Sequence, residues 1–209
     1  MVKRGYDAVS HRYRGDQVDA SLEPYLDWIA VILKAGKAGR VLDLGCGNGI
    51  LVTKYLSDRG FEVTGVDISE TQVERTRALV PRATFICRDM TRLRFKKGSF
   101  SAITAFYSII HIPVVQHRLI LTNIYKWLQA GGYFFATLGS SAWTGWEKDW
   151  LGVPGAEMYW SHADRDTYFN WLHEDGFEMI EDRFIPEGDS GHQLFIARKP
   201  EAQEAIFPS

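Results

Sequence analysis

Val41-Leu42-Asp43-Leu44-Gly45-Cys46-Gly47-Asn48-Gly49 reads as a buried strand running into a glycine turn. Residues 41 to 44 are apolar except for Asp43, glycines follow at 45, 47 and 49, and a helical pattern then runs from Ile50 to Arg59 with Gly60 as its stop. Strand, glycine loop and helix form the opening unit of an alternating α/β chain. Glycine at such a turn lets a ligand approach the backbone closely, where amides at a helix start attract negative charge.

The same rhythm extends downstream. Phe61 to Asp67 reads as a second strand, and Ser69 with Gln72 reads as a capping box for a helix that ends before Pro81. Ala83 to Asp89 is the third strand. Phe100 to Ser108, almost wholly apolar, has the character of a central parallel strand buried on both faces. A helix is expected from Pro113 to Ala130, ended by Gly131 and Gly132, with Tyr133 to Gly139 as the fifth strand. Ser140 to Ala163 then shows neither helical nor strand periodicity, yet five of the seven Trp fall between Trp143 and Trp171, so an aromatic lid is expected there. A helix over about Asp164 to Asp175 stops at Gly176, and Phe177 to Ile185 and Gln193 to Lys199 form two strands around the turn-rich PEGDSGH. So short a connection requires these two to be antiparallel. Upstream, Pro24 to Leu33 is an amphipathic helix with Leu26, Ile29 and Leu33 on one face.

The expectation is therefore an α/β protein with a Rossmann-like sheet of seven strands, the last antiparallel, and helices on both faces. One domain is expected over residues 1–209, with covering helices in 1–36 and the lid in 140–163. The 209 residues carry 24 Lys and Arg against 26 Asp and Glu, a net charge of −2, so no global positive field favours a nucleic-acid partner. Apolar residues make up 45% and charged residues 24%, which excludes a disordered or coiled-coil chain. No apolar run suits a signal peptide or a membrane span, and a cytoplasmic monomer or homodimer is expected. Cys46 and Cys87 have no metal spacing and read as packed thiols.

The glycine spacing G-x-G-x-G differs from the dinucleotide fingerprint G-x-G-x-x-G, and Asp43 two residues earlier opposes a pyrophosphate. The carboxylate suits a ligand carrying an ammonium group and a sulfonium, with loop amides for the ligand's carboxylate. That ligand is S-adenosylmethionine. On these residues the chain resembles the class I S-adenosylmethionine-dependent methyltransferases over roughly Tyr6 to Pro200. The resemblance implies that Asp67 in GVDIS holds the ribose hydroxyls, with Ile68 against the adenine. It implies likewise that Asp89 in FICRDM meets the adenine amino group, with the Met90 backbone beside it. FYSIIHIP and NIYKWLQAGGYFFATLG look like the family's fourth strand, helix and fifth strand, although Gln129 and Ala130 stand where many members have Lys or Arg and Pro. The cofactor-binding set is thus Asp43, Gly45, Cys46, Gly47, Asp67, Ile68, Asp89, Met90, Phe106 and Tyr13, with Cys46 needed only as a small residue.

Methyl transfer is an in-line displacement that needs alignment, exclusion of water and, for a protonated acceptor, a base. Open parallel sheets bind ligands at the carboxyl ends of their strands. That criterion selects His111, His162 and Tyr159 as catalytic candidates and Tyr107, Trp143, Trp146, Trp150 and His192 as substrate contacts. Tyr6 and Tyr13 qualify from the covering segment. The bland reading of each His is a packed or hydrogen-bonded side chain, and that of the Trp-rich stretch is a satellite core. No N-P-P-Y motif follows the fourth strand, and no carboxylate set of the metal-assisted catechol type is present, so no metal is implied. The basic run Arg88, Arg92, Arg94, Lys96 and Lys97 reads as a solvated loop. The acceptor expected is a small aromatic or apolar molecule methylated on O, N or S. The rivals are a nicotinamide-dependent oxidoreductase and a protein of this fold that binds the cofactor without methylating.

Overall fold

A computed structural model of the chain describes residues 1–17, 23–34 and 39–201. Helices α1 (Val2–Tyr13) and α2 (Glu23–Lys34) precede β1 (Arg40–Leu44), α3 (Val52–Ser57), β2 (Glu62–Asp67), α4 (Glu70–Leu79), β3 (Thr84–Cys87), β4 (Phe100–Ala105), α5 (His117–Trp127) and β5 (Leu128–Gly139). A hairpin of β6 (Trp143–Glu147) and β7 (Met158–His162) follows, then α6 (Arg165–Asp175), β8 (Glu178–Glu187) and β9 (Ser190–Arg198). The final residues of the expected covering segment, 35 and 36, and of the expected domain, 202–209, lie outside the described residues.

Seven strands form one sheet in the order β3-β2-β1-β4-β5-β9-β8. The first five are parallel, β9 runs antiparallel to β5, and β8 is antiparallel to β9. This is the expected seven-stranded Rossmann-like sheet with its last strand reversed. Alternation along the central strands divides the core. Val41, Val63, Ala102 and Phe135 pack on one face with Trp28 and Ile29 of α2 and Leu56 of α3. Leu42, Ile103 and Phe134 pack on the other with Ile120, Leu121 and Ile124 of α5 and Tyr168 and Leu172 of α6. Because chain order reverses between β1 and β4, their carboxyl ends leave the crevice in which open sheets hold ligands.

The caps form as the sequence implies, with one redirection. Ser69 Oγ accepts from the Gln72 amide at 3.1 Å, but the Gln72 side chain accepts from Ser10 Oγ at 3.0 Å and so ties α4 to α1. Asp7 adds to that tie by accepting from Ser69 Oγ at 2.6 Å. Asp164 caps α6 by accepting from the Thr167 amide, and Gly176 closes it at φ 95°.

Several boundaries differ from the expectation. β3 is confined to Thr84–Cys87 because Asp89 turns the chain, its side chain accepting from the Thr91 amide. β4 ends at Ala105, because Tyr107 takes a left-handed φ of 51°. α5 ends at Trp127, and Leu128 already pairs with Phe100 of β4; the chain bulges through Gly131 at φ 76° and rejoins β4 where Tyr133 faces Ala102. The glycine pair therefore interrupts a strand where it was expected to stop a helix. The largest difference is the segment expected to be irregular, which holds the regular β6–β7 hairpin with Trp143 facing His162 and Trp146 facing Tyr159. No alternation marks WTGWE, because β6 is largely solvent-exposed along its length and so has no buried set. The hairpin packs on α1 through Val9, Trp150, Ala156 and Met158. The β8–β9 hairpin matches its expectation in sense, but its strands extend until Gly188 and Asp189 alone form the turn.

Candidate active site

The glycine loop is fixed by what a side chain would strike. Gly45 has φ 74°, and a Cβ there would lie 2.2 Å from Ser108 Cβ. Gly47 at φ 56° has nothing within 4 Å of its Cβ position, so that face of the loop opens onto free space. The amides of Gly45 and Cys46 donate to the Val66 carbonyl at 2.8 and 3.0 Å, Gly47 donates to Asp67 Oδ2 at 2.9 Å, and Gly49 donates to the Cys46 carbonyl at 2.9 Å. The Gly45, Cys46 and Gly47 amides therefore clamp the loop to the end of β2 and the Gly49 amide closes the loop on itself, contrary to the expectation that they face a ligand's carboxylate. Asp67 also accepts from the Ser69 amide at 2.9 Å through Oδ1. Burial pushes its pKa up to about 6 against the pull of those backbone donors.

Asp43 is 4% exposed, and both of its oxygens are taken: Oδ2 accepts from Thr53 Oγ1 at 2.6 Å and Oδ1 from Thr104 Oγ1 at 2.8 Å. It joins β1 to α3 and β4 beneath the loop, and burial raises its pKa.

Two adjoining cavities lie at the carboxyl ends of the strands. The larger, about 480 Å³, has Gly45, Gly47, Asp67, Ile68, Asp89, Met90 and Phe106 on its walls, and Tyr6, Tyr13, His111, Trp146 and Tyr159 as well. The smaller, about 60 Å³, shares Tyr13, Gly45, Gly47, Phe106 and Tyr107 with it and adds Arg14, Tyr25, Asp43, Cys46 and Asn48. The sequence-derived cofactor set thus converges on one place, with Asp43 and Cys46 reaching only the smaller compartment. Tyr107, whose hydroxyl donates to Glu187 at 2.6 Å, borders both.

On the aromatic side, His111 follows β4 in a short 3-10 turn and is 7% exposed. Its Nδ1 lies 2.8 Å from the Tyr159 carbonyl oxygen and its Nε2 lies 2.9 Å from the Tyr6 hydroxyl. Burial draws its pKa down to about 4, so it is neutral at physiological pH. Trp146, 59% exposed, sits at the mouth with its ring centroid 4.5 Å from that of Tyr159.

Four candidates stand apart from both cavity walls. His162 has Nδ1 2.6 Å from the Ser141 carbonyl, with Trp143 against its ring. His192 lies behind Tyr107 at 5.0 Å between ring centroids. Trp143 is on the exposed side of the hairpin, and Trp150, 6% exposed, is packed behind Tyr6 and Tyr13 at 5.3 and 5.5 Å. Residues that sequence reasoning passed over also border the space: Val2 and Lys3 at the start of α1, Gln116, and Arg14 and Tyr25 at the smaller compartment. The seven-residue spacing of Tyr6 and Tyr13, two helical turns on one face, was the available sign that α1 presents a wall.

Comparison with known proteins agrees with this geometry. Residues 41–132 match the family described as a methyltransferase domain. The chain is 34% identical over 136 residues to a ubiquinone biosynthesis O-methyltransferase of Idiomarina loihiensis, covering 62% of this chain and 53% of that protein. It is 29% identical over 152 residues to the 27-O-demethylrifamycin SV methyltransferase of Amycolatopsis mediterranei, covering 63% and 55%. The chain thus spans about half the length of these two curated relatives. In fold it is similar to the 1,6-didemethyltoxoflavin-N1-methyltransferase of Burkholderia thailandensis, solved with 1,6-didemethyltoxoflavin and S-adenosylhomocysteine. The TM-score is 0.70 at 19% identity, over 94% of this chain and 86% of that one. Among the described residues no helix is long and apolar enough to cross a membrane.

Proposed function

We propose that the chain is a class I S-adenosylmethionine-dependent methyltransferase and that it transfers a methyl group to an O, N or S atom of a small, largely apolar molecule, without a metal. The observation that carries the proposal is the continuity of one cavity from the glycine loop, Asp67 and Asp89 to the aromatic wall of Tyr6, His111, Tyr159 and Trp146.

The residues present fit the cofactor. The free space at Gly47 leaves room for it, and Asp67, ionised above about pH 6, offers a buried carboxylate to the ribose hydroxyls. Asp89 uses Oδ1 for the Thr91 amide and hydroxyl and borders the cavity where the adenine amino group is assigned. With the loop amides engaged, Arg14 in the smaller compartment is the cation placed for the amino-acid carboxylate. When bound, S-adenosylmethionine supplies an electrophilic methyl group on a sulfonium. Ile68, Met90 and Phe106 form apolar walls and exclude water, and Tyr159, Trp146 and Ile112 offer the acceptor an apolar surface. His111 and Tyr159 are the catalytic candidates that reach the cavity. His162, His192 and Trp143 lie on the hairpins, off the cavity walls.

The test is incubation with methyl-labelled S-adenosylmethionine and a panel of small phenols, hydroxylated heterocycles, amines and thiols, read as S-adenosylhomocysteine release. Acceptor-dependent release supports the reading. Tight cofactor binding with no release across the panel would leave a binding protein of this fold.

A further inference from the structure

A neutral imidazole has one N–H and one lone pair, so its partners identify its tautomer. Nδ1 of His111 faces the Tyr159 carbonyl oxygen at 2.8 Å, and that oxygen can only accept, so Nδ1 carries the hydrogen. Nε2 is then the lone pair, and the Tyr6 hydroxyl 2.9 Å away donates to it. Tyr6 itself stays protonated, because burial raises its pKa well above the usual phenol range. Its ring is held edge-on by Tyr13, Trp150 and His111 at centroid separations of 5.3 to 5.5 Å. The single Tyr6 hydrogen is thus committed to His111, while its oxygen keeps accepting capacity on a residue that lines the larger cavity.

Resting on the methyl-transfer reading, we propose that the Tyr6 hydroxyl oxygen accepts the hydrogen bond of the acceptor's reacting O–H or N–H, and that His111 is the positioning residue that turns the Tyr6 hydrogen away from it. The substrate class follows: the reacting atom enters as a neutral hydrogen-bond donor. A phenolate or thiolate meets only lone pairs, unless the Tyr6 hydroxyl swings toward it and strands the buried Nε2 without a donor. In the transfer step the bond from the acceptor atom to the methyl carbon forms, and the carbon–sulfur bond breaks with its electron pair going to sulfur. The acceptor's proton passes to Tyr6 Oη and the Tyr6 proton to His111 Nε2, from which water removes it after product release. The net charge of the site is the same before and after the step, which is how a buried histidine can take the proton.

Two measurements test this. Side-chain 15N NMR of the unliganded protein reads the tautomer directly, with Nδ1–H and a bare, hydrogen-bonded Nε2 expected at His111; an Nε2–H tautomer overturns the proposal whatever the chain binds. Calorimetry then compares phenol with its methyl ether anisole on protein loaded with S-adenosylhomocysteine. Phenol should bind about fivefold to tenfold tighter, the effect of one hydrogen bond. Tyr6→Phe, which keeps the ring, and His111→Phe, which keeps a ring but removes the acceptor for the Tyr6 hydrogen, should each bring the two probes within about twofold while S-adenosylhomocysteine affinity stays unchanged. An intact phenol preference in Tyr6→Phe, or equal binding of the probes to the wild type, overturns the proposal. Failure of the wild type to bind S-adenosylhomocysteine would instead refute the methyl-transfer reading, and the NMR spectrum would still decide, independently of any ligand, which way the Tyr6 hydrogen points.

Discussion

The Gly47 amide donates to Asp67 Oδ2 at 2.9 Å, making the glycine loop and the end of β2 one rigid unit facing the cavity. Substitutions at neighbouring glycines should therefore separate folding from binding. Gly47→Ala adds a methyl group to open space at φ 56°, a strain of about 1 kcal/mol, so the fold should survive with a small drop in Tm while S-adenosylhomocysteine affinity falls. Gly45→Ala drives a Cβ to 2.2 Å from Ser108 and should unfold or severely destabilise the protein. Thermal unfolding alongside ligand titration distinguishes the two, and equal loss of stability in both would refute this division.

Trp146 and Trp150, four residues apart, should behave oppositely. Trp150, 6% exposed against Val9, Tyr6 and Tyr13, is core, and Trp150→Ala should cost about 3 to 5 kcal/mol of stability. Trp146, 59% exposed at the cavity mouth, should leave the urea midpoint nearly unchanged as Ala while raising the acceptor's KM more than the cofactor's. The expectation that both tryptophans contact the acceptor is thereby corrected for Trp150. A destabilised Trp146→Ala would make the whole hairpin a packing element.

Stability should fall on acidification. His111 and His117 are held neutral by burial, with pKa values drawn down to about 4 from 6.5. His117 is enclosed between the Tyr168 hydroxyl at 2.7 Å and the Ile112 carbonyl at 2.8 Å. The unfolded chain takes up these two protons near pH 6.5 and the folded chain only near pH 4. Their stabilising contribution, on the order of 3 kcal/mol each, is therefore complete above pH 6.5 and lost as pH falls from about 6.5 to about 4. Asp67, raised to about 6, acts in the opposite sense, returning stability as pH falls below 6. Asp43, also raised by burial, acts with Asp67, and His192, also drawn down by burial, acts with the other two histidines. Three histidines outweigh two carboxyls, so urea unfolding should show a lower free energy at pH 4.5 than at pH 7, with a shallower slope in His117→Gln. A flat profile would mean that the histidines are hydrated.

Much of the chain was readable from local chemistry. The strand, glycine turn and helix at 41–59, the Ser69 cap and the Gly176 stop depend on neighbours a few residues away, and Asp67 and Asp89 sit where strand ends place them. What the sequence hid depends on distant partners. Tyr6 and His111 are 105 residues apart, and no periodicity couples them. The Gln72 side chain satisfies Ser10 where a capping box would have sent it back to its own helix, and the loop amides satisfy Val66 and Asp67 in preference to a ligand. The pairing of Trp146 with Tyr159 was invisible because a ribbon open to solvent along β6 has no buried set to alternate.

Calorimetric titration of S-adenosylhomocysteine into the wild type and Asp67→Asn, with NAD as the control ligand, asks most directly whether this cavity holds S-adenosylmethionine. We expect one site per chain, no comparable binding of NAD, and a tenfold to hundredfold weaker interaction in a folded Asp67→Asn, equivalent to about 1.5 to 3 kcal/mol of charge-assisted hydrogen bonding. Wild-type affinity should also weaken as pH falls below about 6, where Asp67 takes up its proton. An unchanged dissociation constant in folded Asp67→Asn, or binding of NAD in preference to S-adenosylhomocysteine, would contradict the assignment of this cavity to S-adenosylmethionine.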